Sequence, residues 1–184
     1  MKVPSATVDQ SSEAQVRPTF GGVLVAGVGN LLRGDDGMGV RALHLLQSRL
    51  GVRDNLGFYE SGIAGVGLVQ QLMDGYDALI ILDAVDRKAE PGTIFVIEPT
   101  VEQGACSATI DLHLADPRGA LRMADALGVR PKRVWIIGCQ IKECDELGAE
   151  LSPAVAKALP EVVRQTHALV DTLLSQARQD YVHH

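Results

Sequence analysis

The polar residues that could do chemistry in this 184-residue chain follow the ends of short apolar runs. Such runs predict buried strands, and the side chains after them are expected to gather at one edge of a sheet. In chain order these residues are Asn30, Asp35, Asp36, Glu60, Ser61, Asp83, Asp86, Asp111, His113, Asp116 and Gln140. Many carboxylates with one imidazole form an acidic crevice, which suits a cation better than a phosphate.

Three of these residues form a candidate metal site. Asp83 lies near the end of the apolar run ALIILDAV, where a carboxylate loses its solvation unless a partner compensates. Asp36 belongs to the turn GDDG, and His113 follows the fourth predicted strand. Two carboxylates and one imidazole suit zinc, nickel or iron better than calcium or magnesium. Each residue also has a purely structural explanation, since an aspartate before a helix is often a cap and a loop histidine is often only hydrogen-bonded.

The stretch VLVAGVGNLLRGDDGMGV raises the alternative of a nucleotide site. Gly27 and Gly29 match the first two glycines of a dinucleotide-binding turn, but Leu32 stands at the third. Asp35 and Asp36 would face the pyrophosphate and repel it. A nucleotide is therefore disfavoured. The two glycines are expected to form a tight turn, and Asp35 is expected to cap the following helix.

Hydrophobic periodicity predicts the elements that must position these groups. Strands are predicted at 22–30, 56–60, 78–85, 92–99 and 133–140. Helices are predicted after the GDDG turn and at 66–75, 117–128 and 151–179. Ser152 and Pro153 are expected to begin the last helix, and Pro160 to kink or divide it. The alternation predicts an α/β fold, a three-layer sandwich in which helices cover both faces of a twisted, mostly parallel five-stranded sheet.

Composition and charge indicate the domain organisation and the class of protein. We expect a flexible arm at 1–20, one α/β domain at 21–178 and a tail at 179–184. The net charge of −6 argues against nucleic acid or anionic membranes as partners. No apolar run approaches the roughly 20 residues that span a bilayer, and the N-terminus lacks the apolar core of a signal peptide. A cytoplasmic protein is predicted, and its three cysteines, Cys106, Cys139 and Cys144, are expected to be free thiols.

Taken together, the motifs resemble those of the hydrogenase maturation endopeptidases. The resemblance rests on GVGNLLRGDDGMG, on ALIILDAV with Asp83, on His113 upstream of RVWIIG, and on GAELSPAV before the last helix. It implies a monomeric peptidase that removes a C-terminal extension from the large-subunit precursor of a nickel–iron hydrogenase after nickel insertion. It also implies that Asp36, Asp83 and His113 are both the catalytic and the metal-contacting residues. The nickel would be carried by the substrate, and other divalent metals would substitute for it.

Two questions stay open at this point. The family often has an Asp-Gly-Gly turn after the second strand, whereas this chain has Glu60, Ser61 and Gly62, so the roles of Glu60 and Ser61 are undetermined. The metal either serves as a checkpoint that positions the substrate, which we favour slightly, or activates the scissile carbonyl or a water directly. The alternative function is a metal-binding assembly protein that does not cut.

Overall fold

A computed structural model of the chain describes residues 22–62, 65–98, 117–142, 148 and 150–182. The strands and α-helices within these ranges are β1 (Gly22–Val28), α1 (Met38–Leu50), β2 (Leu56–Gly62), α2 (Gly65–Leu72), β3 (Tyr76–Val85), β4 (Ile94–Ile97), α3 (Pro117–Ala126), β5 (Arg133–Gln140) and α4 (Pro153–Val182). A short 3-10 turn, Gly34–Gly37, directly precedes α1.

The strands form one sheet in the order β2-β1-β3-β5-β4. β1 is parallel to β2 and β3, and β3 is parallel to β5. β1 and β3 are central and almost wholly buried, which explains why their sequences are continuous apolar runs. The four parallel strands end at one edge of the sheet, here called the carboxyl edge, and begin at the opposite, amino edge.

Helices cover both faces of this sheet. The face of Val25 and Ile80 packs against α1 and α4, and the face of Ala26 and Ile81 packs against α2 and α3. The predicted α/β fold is thereby confirmed, with three layers and a mostly parallel five-stranded sheet. No helix in the portion of the chain that the structure covers is long and apolar enough to cross a bilayer.

The fourth strand departs from the parallel pattern. β4 is antiparallel to β5: Ile94 lies beside Cys139, and Ile97 lies beside Ile136. β4 therefore starts near the carboxyl edge and runs away from it. The expectation that the residues after this strand leave directly from the carboxyl edge is wrong, because it assumed that the fourth strand was parallel.

Two other features differ from the sequence prediction. β2 continues two residues past its predicted end at Glu60, so Ser61 and Gly62 belong to the strand and not to the turn that was expected there. α4 runs undivided from Pro153 to Val182 with Pro160 inside it, so of the two predicted effects of Pro160, a kink or a division of the helix, the division is wrong. A proline inside a helix costs about 3 kcal/mol. The buried stripe of α4, which packs on the sheet, offsets that cost; its members are Val155, Val162, Val163, Val170 and Leu173.

Candidate active site

The turn after β1 is built around Gly29 and holds the carboxyl group of Asp36. Gly29 has a φ of +124°, and a Cβ there would lie 1.9 Å from the backbone oxygen of Asp36. The backbone N–H of Asn30 donates to Asp36 Oδ2 at 2.9 Å, and Asn30 Oδ1 accepts from the N–H of Leu32 at 2.9 Å. Only a glycine permits this close return of the chain, which fixes Asp36 at the carboxyl edge.

A second glycine contact brings the start of α1 onto the sheet. A Cβ on Gly39 would lie 2.2 Å from the backbone oxygen of Leu82 and 2.4 Å from that of Val28. A Cβ on Gly27 would lie 2.8 Å from the backbone oxygen of Gly39. Gly27 therefore serves helix–strand packing from within β1, and not the tight turn predicted for it. The contact of Gly39 was not predicted from the sequence, although a glycine in the first turn of a helix is a signal of close packing.

Asp83 lies near the carboxyl end of β3 and is 5% exposed, while Asp36 is 4% exposed. Burial, and secondarily the nearby charge of Asp36, raises the pKa of Asp83 to about 8. Burial also raises the pKa of Asp36, against the hydrogen bond from Asn30 and the charge of Arg33. Two neighbouring carboxyl groups with raised pKa values need a proton or a bound cation to compensate for their lost solvation.

His113, the third predicted member of this site, lies outside the described residues. α3 begins four residues later at Pro117, and it packs on the face of the sheet to which Asp83 belongs. α3 ends shortly before β5 starts at the amino edge, so its first turn points toward the carboxyl edge. Among the residues that the structure does describe, no three histidine, cysteine, aspartate or glutamate side chains form a metal-holding group.

Asp35 was expected to cap α1, but it does not. No side-chain cap hydrogen bond occurs at the start of α1 or of the 3-10 turn. Instead, Asp35 Oδ2 accepts from the backbone N–H of Lys142 and from Ser152 Oγ, both at 2.9 Å, and Oδ1 accepts from the N–H of Ser152 at 2.6 Å. Asp35 is 1% exposed. It therefore joins the turn that carries Asp36 to the two ends of the connection between β5 and α4.

The end of the second strand carries Glu60 and Ser61. Glu60 lies on the α1 side, where its Oε2 is 3.0 Å from His44 Nε2, and both side chains are about half exposed. Ser61 is buried, and it is the extra residue where the register of β2 shifts, since Gly27 pairs with Glu60 and Val28 with Gly62. The structure thus separates Glu60 from the face of the sheet to which Asp83 belongs.

Asp86 and Gln140 belong to a hydrogen-bond network beside the site. Gln140 is buried, and its Nε2 donates to Asp86 Oδ1 at 3.1 Å. Asp86 also pairs with Lys88, and these two hydrogen bonds lower the pKa of its carboxyl group to about 2. Asp111 and Asp116 lie outside the described residues. Of the predicted crevice, the structure brings Asp36 and Asp83 together, whereas Gln140, at the end of β5, and Asp86 hold the loop that follows β3.

Cys139 is a buried free thiol in the core beneath α4, in line with its predicted filling role. Burial, and then the charge of Asp35, raises its pKa to about 11, which makes it a poor nucleophile. Cys106 and Cys144 lie outside the described residues. Among the described residues, therefore, no cysteine is suited to act as a nucleophile.

Comparison with known proteins decides which class of enzyme this is. The hydrogenase maturation protease family matches residues 40–168. The chain belongs to that family. The matched range includes Asp83 and His113 and begins just after Asp36. Members of this family are peptidases, so this chain is an enzyme that processes a protein, and the alternative of an assembly protein without peptidase activity is not supported.

Individual relatives agree with this assignment. The chain is similar to the hydrogenase expression/formation protein HupD of Rhizobium leguminosarum bv. viciae, with 34% identity over 77% of this chain and 70% of the relative. It is 31% identical to a putative hydrogenase maturation protease of Methanocaldococcus jannaschii, over 77% of this chain and 91% of that protein. The solved hydrogenase maturating endopeptidase HybD of E. coli superimposes with a TM-score of 0.71 at 27% identity, over 82% of this chain and 93% of that one.

Proposed function

We propose that this enzyme removes the C-terminal extension of a nickel–iron hydrogenase large-subunit precursor after nickel has been inserted. The observation that carries the proposal is the buried pair Asp36 and Asp83 at the carboxyl edge. Both carboxyl groups have raised pKa values, and the described part of the chain gives Asp83 no ion-pair partner. Such a pair is prepared for a cation that arrives from outside.

The nickel is substrate cargo in this proposal, and Asp36, Asp83 and His113 are the residues that contact it. Carboxylate oxygens and an imidazole nitrogen fit a divalent transition metal, so other divalent ions are expected to substitute. Three ligands would leave positions for the groups of the precursor that already hold the nickel. The metal then acts as a checkpoint, because a precursor without it leaves the two carboxylates uncompensated.

The chain's own residues supply positioning and proton transfer. The N–H of Asn30 fixes one oxygen of Asp36, and Gly29 and Gly39 place the turn against β3. Asp83, with a pKa of about 8, holds a proton near neutral pH in the free enzyme and releases it when positive charge approaches. The oxygen of this carboxylate that does not contact the metal is suited to act as the general base that takes a proton from the water attacking the scissile peptide. We further propose that the enzyme works as a monomer in the cytoplasm, without nucleic acid or membrane.

The test is an intact-mass measurement of precursor incubated with purified enzyme, with and without nickel in the precursor. We expect trimming only of the nickel-loaded form, and a loss of at least about 100-fold in rate for Asp36→Ala and His113→Ala with the fold intact by circular dichroism. Asp171→Asn, an exposed aspartate on α4, is the matched control and is expected to trim normally. Trimming at the normal rate by either site variant would contradict the residue assignment, and equal trimming of nickel-free precursor would contradict the checkpoint.

A further inference from the structure

A row of three residues crosses the sheet beside the candidate site. Asp83 on β3 pairs with Gly138 on β5, and Gly138 pairs with Phe95 on β4. Directly paired residues lie on the same face of a sheet, so Phe95 shares the face of Asp83. The side chain of Val85 covers Gly138, since a Cβ on Gly138 would lie 2.8 Å from Cγ1 of Val85. An apolar floor thus leads from Asp83 to Phe95.

The loop after β3 is fixed above this row by one buried side chain. Gln140 Oε1 accepts from the backbone N–H of Arg87 at 2.8 Å and from that of Ala89 at 3.2 Å. Gln140 Nε2 donates to Asp86 Oδ1 and to the backbone oxygen of Ile141. The backbone of Arg87 is therefore anchored to the end of β5 before any substrate binds.

The guanidinium group of Arg87 lies over the ring of Phe95, 5.0 Å from its centroid. Stacking on an aromatic ring orients a guanidinium while its N–H edges remain available for a carboxylate. The neighbouring Lys88 pairs with Asp86, whereas within the described residues no carboxylate pairs with Arg87. A preorganised cation thus borders the candidate site of a chain whose net charge is −6.

We propose that Arg87 is a specificity-determining residue that binds a carboxylate of the precursor's C-terminal segment. This inference rests on the proposed function. Two strand spacings separate Asp83 from Phe95, or roughly 10 Å, which an extended peptide covers in about three residues. The bound carboxylate therefore belongs to a residue about three positions from the scissile bond, and it is either an acidic side chain or the terminal carboxylate.

The test compares Arg87→Ala with Arg133→Ala on the nickel-loaded precursor that the wild-type enzyme trims. Arg133 makes the same kind of contact, 6.0 Å from the ring centroid of Trp135, but at the start of β5 and on the other face. We expect Arg87→Ala to raise KM about tenfold with little change in kcat, because the lost contact is a charge-assisted pair. Arg87→Lys keeps the charge without the planar fork and is expected to give an intermediate KM. Arg133→Ala is expected to leave both constants unchanged.

Altered precursors identify the source of the carboxylate. Acidic residues near the cleavage site are replaced singly by their amides, and in a separate arm the C-terminus is amidated. One of these changes is expected to raise KM for the wild-type enzyme but not for Arg87→Ala. The inference would be overturned if Arg87→Ala left KM unchanged or lowered only kcat. It would also be overturned if the effects of the enzyme variant and of the precursor changes on KM were independent of each other. Failure of the wild-type enzyme to trim would instead overturn the proposed function, so the two failures are distinguishable.

Discussion

The ion pairs at the amino edge of the sheet and the aspartates of the candidate site at the carboxyl edge differ in their exposure to solvent. At the amino edge, Arg53 pairs with Asp171 at 2.9 Å and Lys132 with Asp77 at 3.4 Å, and all four side chains are more than a third exposed. At the carboxyl edge, the carboxyl groups of Asp36 and Asp83 are almost fully buried, and no ion pair among the described residues neutralises them. Exposed pairs contribute little, whereas buried unpaired carboxylates lower stability and are retained where a ligand or reaction needs them.

The carboxyl edge contains a contrast of its own. Asp35 and Asp36 are adjacent and both buried, but the described residues alone give Asp35 three donors, whereas Asp36 accepts from Asn30 and keeps a raised pKa. Sequence proximity therefore does not imply a shared role. The aspartate with several hydrogen-bond donors holds the scaffold, and the other is the one to which we assign the proposed metal contact.

The largest expected change in stability comes from Asp35→Asn. The amide retains one acceptor oxygen, so a donor of Lys142 or Ser152 would face the NH₂ group and be left unsatisfied. We expect the free energy of unfolding to fall by about 2–3 kcal/mol, measured by urea denaturation. Ser152→Ala removes only one hydroxyl donor and is the control, with an expected loss of about 1 kcal/mol. A neutral result for Asp35→Asn would show that this carboxylate does not hold the scaffold.

Asp83→Asn is expected to act in the opposite direction. The folded-state pKa of Asp83, about 8, lies above its unfolded value. Between the two pKa values the folded state binds a proton that the unfolded state does not, so stability falls as pH rises from about 4 to 8. Asparagine does not titrate, and the variant is expected to gain about 1–3 kcal/mol at pH 8 in metal-free buffer and much less at pH 4.

The measurement is denaturant unfolding of the wild-type and Asp83→Asn proteins across that pH range. Part of the pH dependence should persist in the variant, because the raised pKa of Asp36 acts with the same sign. An equal stability difference at pH 4 and pH 8 would show that Asp83 does not carry the titration.

The smallest expected effect is at the amino edge. Arg53→Ala breaks the pair with Asp171, yet both groups are exposed, and His167 also lies 3.3 Å from Asp171. We expect a change of no more than about 0.5 kcal/mol in unfolding free energy and no change in precursor trimming. A loss above 1 kcal/mol at low and high salt alike would remove the distinction between the two edges.

Local patterns in the sequence predicted the layers and the position of Asp83. The apolar run of β3 identifies a buried strand, and a carboxylate near its end is conspicuous by chemistry alone. The role of Asp35 was not predictable in the same way, because its partners lie 107 and 117 residues along the chain. The direction of β4 was equally hidden, since four apolar residues form the same pattern in a parallel or an antiparallel pair. Pro160 shows tertiary packing overriding a local preference.

The hydrogen bonds that Asp35 accepts from Lys142 and Ser152 have a consequence for how the connection between β5 and α4 can change in evolution. The carboxylate of Asp35 binds both ends of the connection between β5 and α4, at Lys142 and at Ser152. The distance between these two ends is therefore set by Asp35 and not by the length of the segment between them. Doubling the length of such a closed segment costs only about 0.6 kcal/mol. Within this connection the backbone N–H of Gly148 also donates to the backbone oxygen of Leu32 at 2.7 Å. We therefore expect the connection to tolerate changes of length as long as this contact with the turn bearing Asp36 is kept.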